Sequence, residues 1–244
     1  MAPYLATVTN GVFQLRISHA GRIPLYHAVD PVEVPKGGFD RLAAEPEVID
    51  FFSRLYGPYP FSSGGGVIDH APEVGYALES QTKSQYDQTP DASTVVHEIS
   101  HQWFGNSVSL TVWPDIWLNE GFAAWSEWIY AERHGGSTAQ QAFDEAYARP
   151  ATSSFWARPP ANLGGAEFLF TYPAYDRGAM TLQALRAKVG DAKFFVIMRQ
   201  WCARYRHSNV TTATFIKLAE TVSGRQLDSF FDVWLYRQGK PTSW

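Results

Sequence analysis

The segment VVHEISHQWFGN places His97 and His101 four residues apart, with Glu98 directly after the first. On a helix those two positions share a face, so both imidazoles can converge on one ion at the roughly 2.0–2.1 Å that Zn–N bonds require. Glu98 lies about 100° around the axis, within reach of a metal-bound water without being a ligand itself. Eighteen residues separate His101 from Glu120, which sits inside WPDIWLNEGFAAWSEW. That carboxylate opens the next helix, and a helix, loop, helix return of this length can bring it back as a third ligand. Two His and one Glu leave the fourth tetrahedral position open to water, the arrangement of a catalytic zinc, so one Zn2+ per chain is expected. Zinc lowers the pKa of such a water from about 15.7 to about 7. Glu98 is placed to take its proton.

HEISHQW, the 18-residue spacing and NEGFA together resemble the aminopeptidase N family of gluzincin zinc metallopeptidases, and the likeness runs over nearly the whole chain. The family's exopeptidase signature, typically GAMEN on an edge strand before the zinc helix, stands here as Tyr76-Ala77-Leu78-Glu79-Ser80, with Ala77 and Glu79 matching letter for letter. Its catalytic tyrosine, followed by an acidic residue, a basic residue and Gly, stands as Tyr175-Asp176-Arg177-Gly178, and FFDVWLYRQGKP resembles the end of its catalytic region. The resemblance implies an α+β, thermolysin-like fold with a β-rich lobe, an α-helical lobe and the metal between them. It implies that Glu79, with Ala77 beside it, holds the α-amino group of the substrate. Tyr175 would stabilise the oxyanion, an interaction worth roughly 3–4 kcal/mol where such donors have been removed. Tyr172 is a competing phenol three residues earlier.

The activity implied is hydrolysis of the first peptide bond of peptides with a free amino terminus. The edge strand would pair with an extended substrate through main-chain bonds. Strand alternation sets Tyr76 and Leu78 opposite Ala77 and Glu79, so either pair can face the cleft. Two other readings stay open: a thermolysin-like endopeptidase in which Glu79 meets no amino group, and a zinc-binding but inactive truncated fragment. Relatives carry an N-terminal β-domain that supplies a second contact to the amino group, so Glu79 is expected to act alone here.

Other residues carry weaker signals. Glu127, seven residues after Glu120, returns to within about 20° of it; it either orients a ligand imidazole or is an exposed or otherwise paired carboxylate. Asn119 is a candidate hydrogen-bonding partner near the metal, and Asp115 is expected to cap the turn before the second helix. Trp103, Trp113, Trp117, Trp125 and Trp128 are expected in the core, since aromatics dominate buried area. His19, His27, His70, His134 and His207 have no metal spacing, and Arg204, Arg206 and Lys217 read as a solvated helix face.

The elements that must position these groups follow from patterning. Strands are expected at about Tyr4 to Thr9, Val12 to Ser18, Ile23 to Val29, Val67 to Asp69 and Gly75 to Glu79, bounded by turn signals. Apolar spacing predicts helices over Asp40 to Tyr56, Leu118 to Arg133, Ala139 to Ala148, Pro173 to Val189, Ala192 to His207, Thr212 to Val222 and Leu227 to Arg237. Thr89 as N-cap and Pro90 behind it predict that the histidine helix spans Pro90 to Phe104. Residues 1–18 resemble the last strands of a truncated N-terminal β-domain, and 19–244 the thermolysin-like catalytic domain.

Composition narrows the class. The 244 residues are 45% hydrophobic and 15% aromatic, with nine Trp, which excludes intrinsic disorder. Twenty Lys and Arg against 24 Asp and Glu give a net charge of −4, which argues against a nucleic-acid partner. No apolar run approaches the roughly 18 residues of a spanning helix, so no membrane partner is expected. The lone Cys202 forms no internal disulfide, and a cytoplasmic location is the expectation.

Overall fold

Between Gln14 and Val29 two strands are joined by a tight turn at Gly21, whose positive φ of 59° suits a residue without a Cβ. In this computed structural model, which describes residues 2–243, they are β1 (Gln14–Ala20) and β2 (Ile23–Val29), antiparallel in the register Gln14 to Val29 through Ala20 to Ile23. β1 thus runs across residue 18. Met1, at the head of the segment 1–18, and Trp244, at the tail of 19–244, lie outside the described residues. The chain divides into two compact units, Met1–Ser107 and Val108–Trp244.

The first unit is built on a five-stranded mixed sheet in the order β1-β2-β3-β5-β4. β3 (Gly66–Ile68) runs parallel to β2 and to β5 (Ser84–Tyr86), and β4 (Ala77–Leu78) closes the edge antiparallel to β5. A single strand is predicted over Gly75 to Glu79; only its middle pairs. The stretch 62–66 enters β3 across β2 with no room to spare: Gly65 has φ 129°, and a Cβ there would lie 2.1 Å from the Tyr26 carbonyl oxygen. The expected strand at Tyr4 to Thr9 does not form. Pro3–Leu5 makes a 3-10 turn instead, anchored by Leu5, which is buried and whose carbonyl accepts from Gln81 N at 3.0 Å.

The helix predicted over Asp40 to Tyr56 is two helices, α1 (Gly38–Leu42) and α2 (Glu45–Tyr56). Pro46 in the first turn of α2 has no N–H to give to the carbonyl four residues back, so one ladder cannot run through it. α2 buries Val48, Ile49, Phe52 and Tyr56, and its last two aromatics join Tyr59, Trp103 and Phe104 in a cluster of edge-to-face and stacked rings. α3 (Ala92–Ser100) starts later than expected, because the N-cap is Asp91, which accepts Thr94 N–H at 2.7 Å, and not Thr89. It also ends earlier than the expected Phe104: Gln102 and Trp103 bond back three residues, to Ile99 and Ser100.

The second unit is helical around α4 (Trp117–Arg133), α5 (Ala139–Tyr147), α6 (Gly178–Val189), α7 (Asp191–Arg204), α8 (Thr212–Ser223) and α9 (Asp228–Phe231). A short parallel pair, β6 (Val108–Leu110) and β7 (Ser208–Val210), lies beside them. α4 is buried on nearly every side through Ile129, and so is α6 through Arg186, which is how helices at the centre of a bundle must be composed. Where they meet, a Cβ on Gly121 would sit 2.7 Å from the Gly178 Cα, so both glycines are dictated by backbone contact. The ring cluster of Trp117, Phe122, Trp201, Phe215 and Phe231 fills the space between α4, α7, α8 and α9. Asp115 caps no helix; it accepts the Thr212 hydroxyl at 2.6 Å, and Thr212 accepts the Trp117 indole N–H at 2.8 Å, tying the start of α4 to α8.

Two segments expected as plain helix open into π-helical turns, Pro173–Arg177 and Asp232–Tyr236. Arg177 links the two. Its guanidinium is fully buried and donates to the carbonyls of Trp234 (2.9 Å), Val233 (3.1 Å), Arg237 (2.6 Å) and Trp156 (3.4 Å). One side chain thereby satisfies the last turn of the chain and fixes the turn that carries Tyr175.

Candidate metal centre

α3 presents His97 and His101 on one face, with ring centroids 4.7 Å apart and ligand nitrogens within 4.8 Å of each other. His101 is buried, and its Nδ1 lies 3.0 Å from the Phe104 carbonyl oxygen. A carbonyl only accepts, so Nδ1 must carry the proton and Nε2 is left with its lone pair, as a metal-binding imidazole requires. The Ser100 hydroxyl donates to the His97 carbonyl at 2.8 Å, closing the end of the helix between the two histidines.

Glu98 is buried on the same helix, and its carboxylate, that of Glu79 and an imidazole nitrogen of His101 all lie within 4.8 Å of one another. Two carboxylates so close repel each other unless a proton or a cation lies between them. Glu79 stands one residue beyond β4 and is held at three points. Tyr4 Oη donates to its Oε1 at 3.0 Å, Asn106 Nδ2 donates to its carbonyl at 2.6 Å, and the backbone beyond it returns through Thr82 N to Gln102 Oε1 at 2.9 Å. Ala77 pairs with Tyr86, so by strand geometry the two side chains share a face. Tyr86 is buried, and burial first, then the charges of Glu45 and Glu98, push its phenol well above the usual range. It is the Ala77 and Glu79 face of β4, not the exposed Tyr76 face, that lies toward Glu98.

Tyr4, Gln102 and Asn106 are absent from the sequence-based candidates. Tyr4 enters the sequence reading only as a strand residue. Glu33 is the other omission. Fully buried, it accepts from Lys36 Nζ (2.7 Å), His70 Nδ1 (2.6 Å), Thr89 N (2.9 Å) and Thr89 Oγ1 (2.8 Å), pinning the approach to α3. Burial alone would raise its pKa, but these donors outweigh it and hold the carboxyl at about 2. Glu45 shows the reverse balance: burial pushes its carboxyl up although His27 Nε2 sits 3.1 Å away.

In the second unit Glu120 and Asn119 are buried in the first turns of α4. Glu120 immediately precedes Gly121, whose contact with Gly178 joins α4 to the helix that follows Tyr175. Tyr175 is half-buried against Ile116, Leu163 and Ala174, whereas Tyr172 is 72% exposed. Asp176, beside Tyr175, pairs with Arg149 at 2.6 Å; burial raises its carboxyl, Arg149 opposes that, and the charge of Glu127 adds to it. Glu127 therefore lies close to Asp176. Trp117 and Trp125 are buried and Trp113 is exposed.

The family model described as the peptidase family M1 domain matches residues 72–234. The chain belongs to peptidase family M1. It is 27% identical over 99% of its length to "Aminopeptidase M1-D" of Oryza sativa subsp. japonica and 26% identical, again over 99%, to "Leucyl aminopeptidase" of Saccharolobus solfataricus. It spans 30% and 33% of those two relatives. The M1 zinc metallopeptidase from Deinococcus radiodurans superimposes with TM-score 0.77 at 27% identity, covering 95% of this chain and 54% of that one. Legionella pneumophila aminopeptidase A shares the fold with TM-score 0.80 at 19% identity, over 94% of this chain and 28% of that one. These likenesses establish the α+β fold of M1 zinc metallopeptidases.

Proposed function

We propose that this M1 chain is a zinc-dependent aminopeptidase that hydrolyses the first peptide bond of peptides with a free amino terminus. The observation that carries the reading is the Glu79 carboxylate within 4.8 Å of that of Glu98. A substrate ammonium is a cation of the kind this pair needs, and one held at Glu79 presents the adjoining peptide bond beside Glu98. In support, a mutant of the Deinococcus radiodurans M1 zinc metallopeptidase has been crystallised with a Tyr-Ser-Ala substrate bound.

His97, His101 and Glu120 would hold one Zn2+ per chain. The lone pair left on His101 Nε2, the facing His97 ring and the 18-residue spacing to Glu120 fit that ion. When bound, zinc supplies Lewis acidity that brings the pKa of water to about 7 and polarises a carbonyl. Glu98 accepts the proton of the attacking water and passes it to the nitrogen of the leaving amine. Tyr175 donates its phenolic hydrogen to the oxyanion of the tetrahedral stage. Glu79, held by Tyr4 and Asn106, binds the α-amino group, with Ala77 beside it on the same strand face.

The test compares a peptide with its N-acetylated twin. The proposal expects turnover of the free amine and little of the acetylated form; equal turnover establishes an endopeptidase and defeats it. Zinc bound at one per chain with neither peptide cleaved would identify an inactive zinc-binding fragment. The lone Cys202, buried and unpaired with any other cysteine, supports a cytoplasmic location, which cell fractionation checks.

A further inference from the structure

We infer that Tyr4 is itself part of the amino-group site: its phenolic oxygen accepts an N–H from the substrate ammonium that Glu79 holds, so Glu79 does not act alone. This rests on the aminopeptidase reading for the identity of the ligand, though the pairing of Tyr4 with Glu79 does not.

The geometry lies wholly within the first unit. Tyr4 Oη donates to Glu79 Oε1 at 3.0 Å. That bond places the single hydrogen of the phenol, because an ionised carboxylate only accepts. A phenolic oxygen that has given its hydrogen can still accept, and the carboxylate it donates to polarises it into a better acceptor. A donor seated on Oε1 therefore has a second acceptor 3.0 Å from the first. N–H···O bonds of about 2.9 Å to both oxygens close a triangle of ordinary dimensions, with one N–H shared between them.

Charge favours a phenol at this point. Glu79 is 6% exposed, and its carboxylate already lies within 4.8 Å of that of Glu98. No cation among the described residues pairs with Glu79. A third carboxylate would add repulsion, whereas a phenol offers the ammonium a second acceptor and adds no charge.

The backbone holds Tyr4 where this contact needs it. Pro3–Leu5 is a 3-10 turn in which Leu5 is 1% exposed, and the Leu5 carbonyl accepts the N–H of Gln81 at 3.0 Å. Gln81 lies two residues past Glu79, so the turn is tied to one stretch of chain twice, by its main chain and by the Tyr4 hydroxyl. Tyr4 is half-buried and covers one side of the carboxylate. A phenol that only oriented Glu79 would make the same hydrogen bond; the two roles part when the carboxylate is replaced.

Calorimetry on the full chain with zinc and Glu98→Gln, which removes the proton acceptor, tells them apart. The probes are Leu-Ala-Ala and its des-amino twin, in which hydrogen replaces the amino group. Tyr4→Phe should weaken binding of Leu-Ala-Ala roughly tenfold, as loss of a hydrogen bond to a charged group does, and leave the twin within about twofold. The deciding comparison adds Glu79→Gln, whose amide oxygen still accepts the phenol hydrogen. There Tyr4→Phe should again weaken Leu-Ala-Ala several-fold. An effect that vanishes in that background means that the phenol acts only through Glu79 and overturns the inference. So does no effect in either background, or an equal loss for both probes. Equal affinity for the two probes with Tyr4 and Glu79 intact would instead defeat the aminopeptidase reading, and this inference with it.

Discussion

At the residue scale the site depends on where protons and lone pairs are held. His101 gives its Nδ1 hydrogen to the Phe104 carbonyl, so the tautomer is set by the turn that ends α3 and not by the metal. Glu98→Gln keeps the shape of the site but cannot take a proton. The expected outcome is zinc retained at one per chain with kcat reduced roughly 10²–10⁴-fold, read by metal analysis and steady-state kinetics; unchanged turnover would remove Glu98 from the mechanism. Tyr175→Phe should lower kcat by roughly 10²–10³ with little change in KM, because the phenol acts on charge that develops only beyond the ground state. A change confined to KM would instead make Tyr175 a binding residue. The HExxH spacing made His97, Glu98 and His101 legible from type and interval alone. Tyr4 and Asn106 were not, since a phenol 75 residues from its carboxylate partner leaves no local signal.

At the element scale, each catalytic group sits where a helix or strand is pinned by something outside itself. Asp91 caps α3, Glu33 gathers the segment before it, and the backbone contact of Gly121 with Gly178 sets how closely α4 and α6 pack. Gly121→Ala would drive a methyl into the Gly178 backbone at 2.7 Å. Overpacking of this kind costs about 1–3 kcal/mol, and the upper end is expected because backbone cannot swing aside as a side chain can. Denaturant unfolding checks this; a loss under about 0.5 kcal/mol would show that the helices part easily, as surface substitutions do. Long helices such as α4 were legible because their apolar content leaves little choice. The breaks at Pro46 and at the two π-helical turns were misread as continuous helix, since periodicity of apolar residues survives a local change of hydrogen bonding.

At the scale of the whole molecule, acid stability follows from Glu33. Its carboxyl in the folded chain titrates at about 2, against an ordinary value of 4.5. The folded state thus binds this proton less readily than the unfolded state. The stabilisation is present above pH 4.5 and is lost as pH falls toward 2. Chemical denaturation at a series of pH values should show unfolding free energy declining through that window, with a shallower decline in Glu33→Gln. An identical slope in the two proteins would mean that other carboxylates govern the acid limb. Among the described residues no helix is long and apolar enough to cross a membrane. The chain also spans about a third or less of the curated relatives it resembles, so the activity proposed is that of the M1 unit it contains.

The sequence by itself determined the metal-binding residue types, their spacing, the M1 resemblance and the composition of the helices, because all of these depend on chemistry or periodicity within some 25 residues. Only the tertiary structure decided which face of β4 lies toward Glu98, which side chains hold Glu79, and that Arg177 is buried in a ring of carbonyls. Each of those joins residues far apart in the chain or turns on the direction of a side chain, and packing fixes such things without leaving a pattern along the sequence.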